Sequence, residues 1–288
     1  MARRPAGAKN HVNPVDPVKG LFIMFFQEIP IKKIEPVTSD VFRLSFLSKE
    51  IAREARPGQF VMIHPKKYSE PLLPRPFSIH RVQGNRVDLL IRAAGQGTQQ
   101  VCGLSHGEVL EVKGPLGRGF TLDPERASIL VAGGIGVAPL LYLADRLITM
   151  KRNKTVAPPR LLIGAGSKKE LLGLREFKEM GIRVRAITED GSFGRKGLVS
   201  DLLEGMSDKG LERAMIYTCG PQGMLRAVAS WAAARNVPCQ VSLEARMACG
   251  MGACLGCSVA RPDDGGQGYA KVCQDGPVFE AQEVAWDA

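Results

Sequence analysis

Ser128-Ile-Leu-Val-Ala132 runs without a break into Gly133-Gly-Ile-Gly-Val-Ala-Pro139. The apolar run reads as a buried strand and the glycines as a tight turn. Pro139 suits the first turn of a helix, where its missing N–H would lack a partner anyway, and apolar residues continue that helix to Met150. The alternation goes on toward the carboxyl terminus. Strands are expected over Arg160 to Gly164, Ile182 to Thr188, Ala214 to Cys219 and Gln240 to Leu243. Helices are expected between them, over Lys169 to Met180, Leu198 to Gly205 and Gln222 to Arg235. Such alternation predicts a parallel sheet with helices on both faces across residues 124–240.

Upstream the rhythm is different. In Val41-Phe-Arg-Leu-Ser-Phe-Leu47 the residues Phe42, Leu44 and Phe46 share one face, with Arg43 and Ser45 opposite. Gln59 to Ile63, Phe77 to Val82, Arg86 to Ala93 and Glu108 to Val112 read similarly, separated by turn signals such as Arg56-Pro-Gly58 and Gln83-Gly-Asn85. Close-spaced short strands predict a small antiparallel barrel or sandwich over residues 30–123, after an amino-terminal extension of residues 1–29. The fold class is therefore mixed β and α/β. The 288 residues are enough for two domains. Near the start the longest apolar run, Leu21 to Phe26, is far short of the roughly 20 residues a membrane helix needs. Neither a membrane span nor a signal peptide is expected, and the chain reads as cytoplasmic.

The formal charge is +10, unevenly spread: residues 240–288 carry −4 and the rest +14. Four of the seven cysteines lie in this acidic end: Cys249, Cys254, Cys257 and Cys273. Residues 241–288 have too few apolar positions for a core of their own, so something else must hold them. The C-x4-C-x2-C…C spacing is that of a plant-type [2Fe–2S] cluster, in which four thiolates converge on two irons. Gly250, Gly252 and Gly256 lie between the ligands, where the loop must fold tightly. The alternative is zinc, for which paired C-x2–4-C knuckles would be expected in place of one tight loop and a solitary fourth cysteine.

Two further motifs point to nucleotides. Glycines at Gly133, Gly134 and Gly136 would let the backbone approach a pyrophosphate, although the spacing is not G-x-G-x-x-G and a plain strand-to-helix turn is the alternative. Thr218-Cys-Gly-Pro221 ends a later strand, so both loops would face one crevice at the carboxyl ends of the sheet. In the barrel, Arg75-Pro-Phe-Ser78 offers a guanidinium for a diphosphate, a ring for a flavin face and a hydroxyl for its edge. Leu90-Ile-Arg92 and Gly97-Thr98 follow; read alone, Arg75 to Ser78 is equally a surface turn.

In this order the pieces resemble the ferredoxin–NADP reductase superfamily. The cysteine lobe, with Val272-Cys-Gln-Asp-Gly-Pro-Val-Phe279, is similar to that of the electron-transfer subunits of NAD-dependent dihydroorotate dehydrogenases of class 1B. The resemblance covers about Pro30 to Trp286. It implies an FAD-binding barrel, an NAD-binding α/β domain and a [2Fe–2S] lobe. FAD would meet Arg75, Pro76, Phe77, Ser78, Leu90, Ile91, Arg92, Gly97 and Thr98. NAD(H) would meet Gly133, Gly134, Gly136, Ala138, Pro139, Gly220 and Pro221, with Cys219 close to where hydride passes. Cys249, Cys254, Cys257 and Cys273 would ligate the cluster. The resemblance further implies electron flow from an FMN-containing dihydroorotate dehydrogenase catalytic subunit through the cluster and FAD to NAD+, in pyrimidine (UMP) biosynthesis. A heterotetramer with that partner is expected, and neither nucleic acid nor membrane.

Two departures stand out: the extension Met1 to Ile29, and Gly166, where relatives often carry a bulkier polar or basic residue. A small subunit of a NAD(P)H-linked ferredoxin or sulfur oxidoreductase shares the architecture. A zinc-bearing nucleic-acid module would use the positive charge, but the basic residues are dispersed over the body, away from the cysteines; anionic FAD and nicotinamide nucleotides account for them. His11, His64, His80 and His106 are scattered and form no metal motif, and Cys102 and Cys239 read as small buried hydrophobes. Glu189-Asp-Gly-Ser192 is either a ribose contact or a turn.

Overall fold

The computed structural model describes residues 24–150, 157–262 and 268–286. Six antiparallel strands close a barrel in the order β1-β2-β5-β4-β3-β6: β1 (Phe25–Pro36), β2 (Val41–Leu47), β3 (Phe60–Pro65), β4 (Arg75–Gln83), β5 (Arg86–Arg92) and β6 (Val109–Leu116). The strand β1 pairs with both β2 and β6 and begins inside the segment read as an extension; residues 1–23, with His11, lie outside the described residues. Alternation fills the barrel, since Leu44 and Phe46 of β2 are fully buried with Leu89 and Ile91 of β5. Ser45, expected on the polar face, is also buried, because its hydroxyl donates to the buried carboxylate of Asp88 (2.7 Å) on the adjacent strand. Two short helices cross the barrel ends, α1 (Lys49–Glu54) and α2 (Gln96–Cys102).

The second body is a sheet of seven strands in the order β10-β9-β8-β7-β11-β12-β15. Its parallel strands are β7 (Ala127–Gly133), β8 (Arg160–Ala165), β9 (Arg183–Thr188), β10 (Arg195–Lys196), β11 (Ala214–Cys219) and β12 (Cys239–Ser242). The helices are α3 (Ala138–Met150), α4 (Leu174–Glu179), α5 (Val199–Glu204) and α6 (Gln222–Ala234). The single helix expected over Lys169 to Met180 is broken into a 3-10 turn at Lys168–Glu170 and α4. Gly173, at φ +73°, turns the chain between them in a conformation other residues resist.

The barrel and the sheet share α3. Tyr142 reaches into the barrel core and its hydroxyl donates to Ala55 O (2.9 Å), while buried His80 of β4 meets Ala138 O through Nδ1 (2.8 Å). Arg43 of β2 pairs with Glu176 of α4 across the same seam.

The cysteine-rich end has no core of its own, as its composition predicts. Strands β13 (Ser258–Ala260) and β14 (Tyr269–Lys271) form a small ladder, and β15 (Val278–Glu280) runs antiparallel along β12. Cys257, Val272, Cys273 and Phe279 are buried in one cluster with Trp231 of α6, Val241 of β12 and Met62 of the barrel. Burying a side chain such as Phe279 contributes roughly 1.5–3 kcal/mol. Among the described residues no helix is long and apolar enough to cross a membrane.

Candidate functional site

Strands β7 and β11 are neighbours in the sheet, so their carboxyl ends deliver the loops Gly133–Pro139 and Cys219–Pro221 to one place. The two loops touch at Gly136: a Cβ there would lie 2.5 Å from Cys219 C and 2.6 Å from Gly220 N. Gly134 (φ +53°) has nothing within 4 Å of a Cβ position, so its backbone faces open space. That space is a cleft of about 700 Å³ along the sheet end, lined by Gly133, Gly134, Gly136, Gly220 and Pro221 and, further out, by Gly166, Glu170, Glu189 and Ser200. Such a glycine floor fits an extended nucleotide, whose pyrophosphate must come close to backbone N–H groups.

A second cleft of about 210 Å³ opens between the barrel and the start of α3. Pro76, Phe77, Ser78 and Leu90 form one wall, Ala138 and Pro139 another, and Ala245, Met247 and Pro277 from the cysteine-rich end a third. Apolar faces with one hydroxyl suit a flat ring system with a polar edge. Arg92, Ile135 and Glu244 line both clefts, which makes them neighbours through one wall.

The structure does not gather every expected residue there. Ile91 is 1% exposed and belongs to the barrel core, because alternation turns it inward between Leu90 and Arg92. Arg75, Gly97 and Thr98 form a separate group outside both clefts: the Arg75 guanidinium lies over Gly97, 2.9 Å from a Cβ position. Thr98 Oγ1 closes the turn by donating to Gly95 O (2.9 Å) and accepting from Gly95 N–H (3.0 Å). Cys219 is buried behind the Gly136 contact and lines neither cleft. Burial first, then the charge of Glu244, pushes its thiol up to about 12, so it stays protonated at neutral pH. Cys239 is buried in the core as expected, whereas Cys102 is only partly covered.

Glu244 is the main residue the sequence reading missed. It follows β12 by two positions, at the carboxyl end of a parallel strand, and that position was the available signal. The side chain is accessible from the clefts but hemmed in by protein. This desolvation holds its carboxyl above the usual carboxylate range, with Arg92 opposing. Arg92 itself pairs with Asp40 (Nε–Oδ2 3.2 Å), while its Nε, shielded from solvent, finds no aligned hydrogen-bond acceptor.

The four expected ligands lie in the carboxyl-terminal lobe, with Cys257 and Cys273 buried, Cys249 half-buried and Cys254 exposed. Cys273 and Cys257 are neighbours, the Cys273 N–H donating to Cys257 Sγ (3.4 Å). Backbone N–H groups turn toward the sulfurs: Gly252 N–H donates to Cys273 Sγ (3.0 Å), and Met251 N–H to Cys249 Sγ (3.4 Å). At Cys249 burial opposes ionisation, but donors led by the Met251 N–H outweigh it and bring the thiol down to about 6. The turn presenting Cys273 is tied by Lys271 N–H to Asp275 Oδ2 (2.8 Å). Among the described residues no three Cys, His, Asp or Glu side chains are grouped to hold one metal ion. Thiols under backbone N–H donors suit an iron–sulfur cluster, whose potential such hydrogen bonds to sulfur help to set.

Comparison with known proteins gives the same three parts. Residues 244–285 match the iron-sulfur cluster binding domain of dihydroorotate dehydrogenase B, residues 130–230 an oxidoreductase NAD-binding domain, and residues 28–120 an oxidoreductase FAD-binding domain. The dihydroorotate dehydrogenase B (NAD(+)) electron transfer subunit of Caldanaerobacter subterraneus subsp. tengcongensis is 40% identical over 248 residues, covering 86% of this chain and 94% of the relative. That of Desulforamulus reducens is 39% identical over 254 residues, covering 87% and 95%. Among solved structures, NADH-dependent reduced ferredoxin-NADP oxidoreductase superposes with a TM-score of 0.76 at 29% identity, covering 90% of each chain. The ferredoxin reductase of carbazole 1,9a-dioxygenase (TM-score 0.62, 18% identity, covering 75% of this chain and 67% of that one) shares the fold. Two clefts with a shared wall and a carboxyl-terminal lobe of four cysteines thus have a family to belong to: the chain is a member of the dihydroorotate dehydrogenase B electron transfer subunits.

Proposed function

We propose that the chain passes electrons from an FMN-containing dihydroorotate dehydrogenase catalytic subunit, through a [2Fe–2S] cluster and FAD, to NAD+ in pyrimidine biosynthesis. The observation that carries this reading is the common wall. Glu244 and Arg92 border both clefts, and Ala245, Met247 and Pro277 bring the cysteine-rich end against the smaller one. When bound, the flavin supplies hydride exchange with a nicotinamide and single-electron exchange with a cluster.

The chain's own residues have the following proposed roles. Phe77, Ser78, Leu90, Ala138 and Pro139 hold the flavin ring, Arg75 over Gly97 holds its diphosphate, and Arg92 serves both clefts. Gly133, Gly134, Gly136, Gly220 and Pro221 seat the nicotinamide nucleotide. Cys219, neutral and buried, positions the Gly136 contact. Glu244 stands on the wall that the two clefts share. Cys249 with Cys254, and Cys257 with Cys273, each take one iron. Domain limits of 30–123, 124–240 and 241–288 go with these roles, except that the first barrel strand carries the barrel back to Phe25.

The relatives' name, electron transfer subunit, supports a separate catalytic subunit, assembled with this chain as a heterotetramer. Seven cysteines without a disulfide fit the reducing cytoplasm. Co-production with a candidate catalytic subunit tests the reading. A stable complex that reduces NAD+ with dihydroorotate is expected, and the isolated chain should not do so. Full dihydroorotate oxidation by the isolated chain would refute the division of labour.

The likeness to NADH-dependent reduced ferredoxin-NADP oxidoreductase favours a second reading, the small subunit of a NAD(P)H-linked ferredoxin or sulfur oxidoreductase. Copurification from the native source separates the two by which flavoprotein comes with the chain.

A further inference from the structure

The larger cleft has two unlike ends. One is the glycine floor already described, and the other carries two carboxylates, Glu170 and Glu189. Glu170 stands in the turn that follows β8, the strand next to β7 in the sheet. Ser167 braces it by donating its hydroxyl to Glu170 Oε1 (3.0 Å). Gly166 makes room for it, since a Cβ at 166 would lie 3.0 Å from Oε1 and 3.3 Å from Oε2 of that carboxylate. Glu189 follows β9, and its N–H donates to Ala165 O (3.0 Å), so it flanks the end of β8 from the other side.

In a doubly wound sheet whose glycine loop holds the pyrophosphate, the end of the neighbouring strand lies beneath the adenosine ribose. A carboxylate there accepts hydrogen bonds from a free 2′,3′-diol. A 2′-phosphate carries close to two negative charges and would meet Glu170 and Glu189 as like charges. Lys168, Lys169, Arg195 and Lys196 are near in the chain, but none of them lines the cleft.

We propose that Glu170, braced by Ser167 and admitted by Gly166, makes this chain accept a nicotinamide nucleotide with a free ribose diol and reject one bearing a 2′-phosphate, with Glu189 as the second carboxylate of the same wall. The small residue at 166 leaves the Glu170 carboxylate its place, which a Cβ would push aside by a few tenths of an ångström and a long side chain by more. The inference rests on reading this cleft as the nucleotide site.

Calorimetric titration of the full-length, cofactor-loaded chain with 5′-AMP and with adenosine 2′,5′-bisphosphate tests it, alongside KM for NAD+ and NADP+. The wild type should bind AMP and discriminate against the bisphosphate. Glu170→Gln should narrow that discrimination about tenfold or more, Glu189→Gln should narrow it less, and Gly166→Lys should narrow it most. A wild type that binds neither probe would sink the nucleotide-cleft reading and the inference with it. If the wild type binds AMP but discrimination is the same in Glu170→Gln, Glu189→Gln and the double variant, only the inference is overturned.

Discussion

Gly136→Ala is the most informative single change, because Gly136 is where the two loops of the nucleotide cleft touch. An added Cβ would stand 2.5 Å from Cys219 C and 2.6 Å from Gly220 N, both backbone atoms. Ordinary contact requires about 3.5 Å, so the loops must separate by about 1 Å. No flexible side chain is available to absorb this. Over-packing of this kind costs about 1–3 kcal/mol, and for a protein of this size each kcal/mol lowers Tm by about 2–4 °C. The catalytic effect should be larger than the stability effect. A displacement of about 1 Å in positioning groups can slow a reaction on the order of 100-fold, and the loops that move are those proposed to seat the nicotinamide. The assay is stopped-flow reduction of the bound flavin by NADH, with flavin and iron content and Tm measured in parallel. The expected variant holds flavin and iron normally, melts a few degrees lower and reduces its flavin on the order of 100-fold more slowly. A variant with wild-type reduction kinetics would show that the loop contact does not position the nucleotide.

Three further outcomes are expected. Cys257→Ser should abolish the visible absorbance of the cluster while leaving flavin content near normal, because Cys257 is buried at the cluster lobe and the flavin cleft draws its main walls from the barrel and α3; iron and flavin quantification decides it, and wild-type iron content would contradict the ligand assignment. Glu244→Trp, which fills the wall the two clefts share, should retain iron yet slow flavin reduction by NADH on the order of 100-fold, the scale of a misplacement of about 1 Å between reacting groups; unchanged reduction kinetics would show that this wall does not lie between the two cofactors. His80 is fully enclosed, and burial depresses its pKa to about 4 despite the hydrogen bond to Ala138 O. Between that value and the unfolded value of about 6.5 the unfolded chain binds more protons. Stability should therefore be complete above about pH 6.5 and decline toward pH 4, by roughly 3 kcal/mol from this residue. Urea midpoints at pH 7 and pH 5 should converge in His80→Gln, and equal pH slopes for variant and wild type would refute the assignment.

Much of this architecture was legible in residue order. The run Ser128–Ala132 followed by glycines places β7 and its loop, and the period of two in Val41–Leu47 places β2. The cysteine spacing points to a donor set, and the structure adds backbone N–H groups turned toward the sulfurs of Cys249, Cys257 and Cys273. What stayed hidden depended on tertiary contacts. Ser45 reads as a surface residue until Asp88 from β5 lies beside it. Ile91 reads as part of a motif until the pleat turns it into the barrel. Glu244 carries no motif at all, and only the folded chain puts it on the wall of both clefts. The break before α4 was visible in Gly173, but the apolar residues around it outweighed a single glycine in the helical reading.

The strand β15 has a consequence for how the protein survives before its cluster is in place. By pairing Val278–Glu280 with Ser242–Gln240, the cysteine-rich end covers what would otherwise be the open edge of a six-stranded sheet. An uncovered β12 would present a row of free N–H and C=O groups to any passing extended chain, the usual route to edge-to-edge aggregation. The same segment is anchored at one side by the turn that carries Cys273. Loss of iron would thus loosen the guard on that edge. Quality control of the metal centre and solubility of the polypeptide are joined in a single three-residue strand.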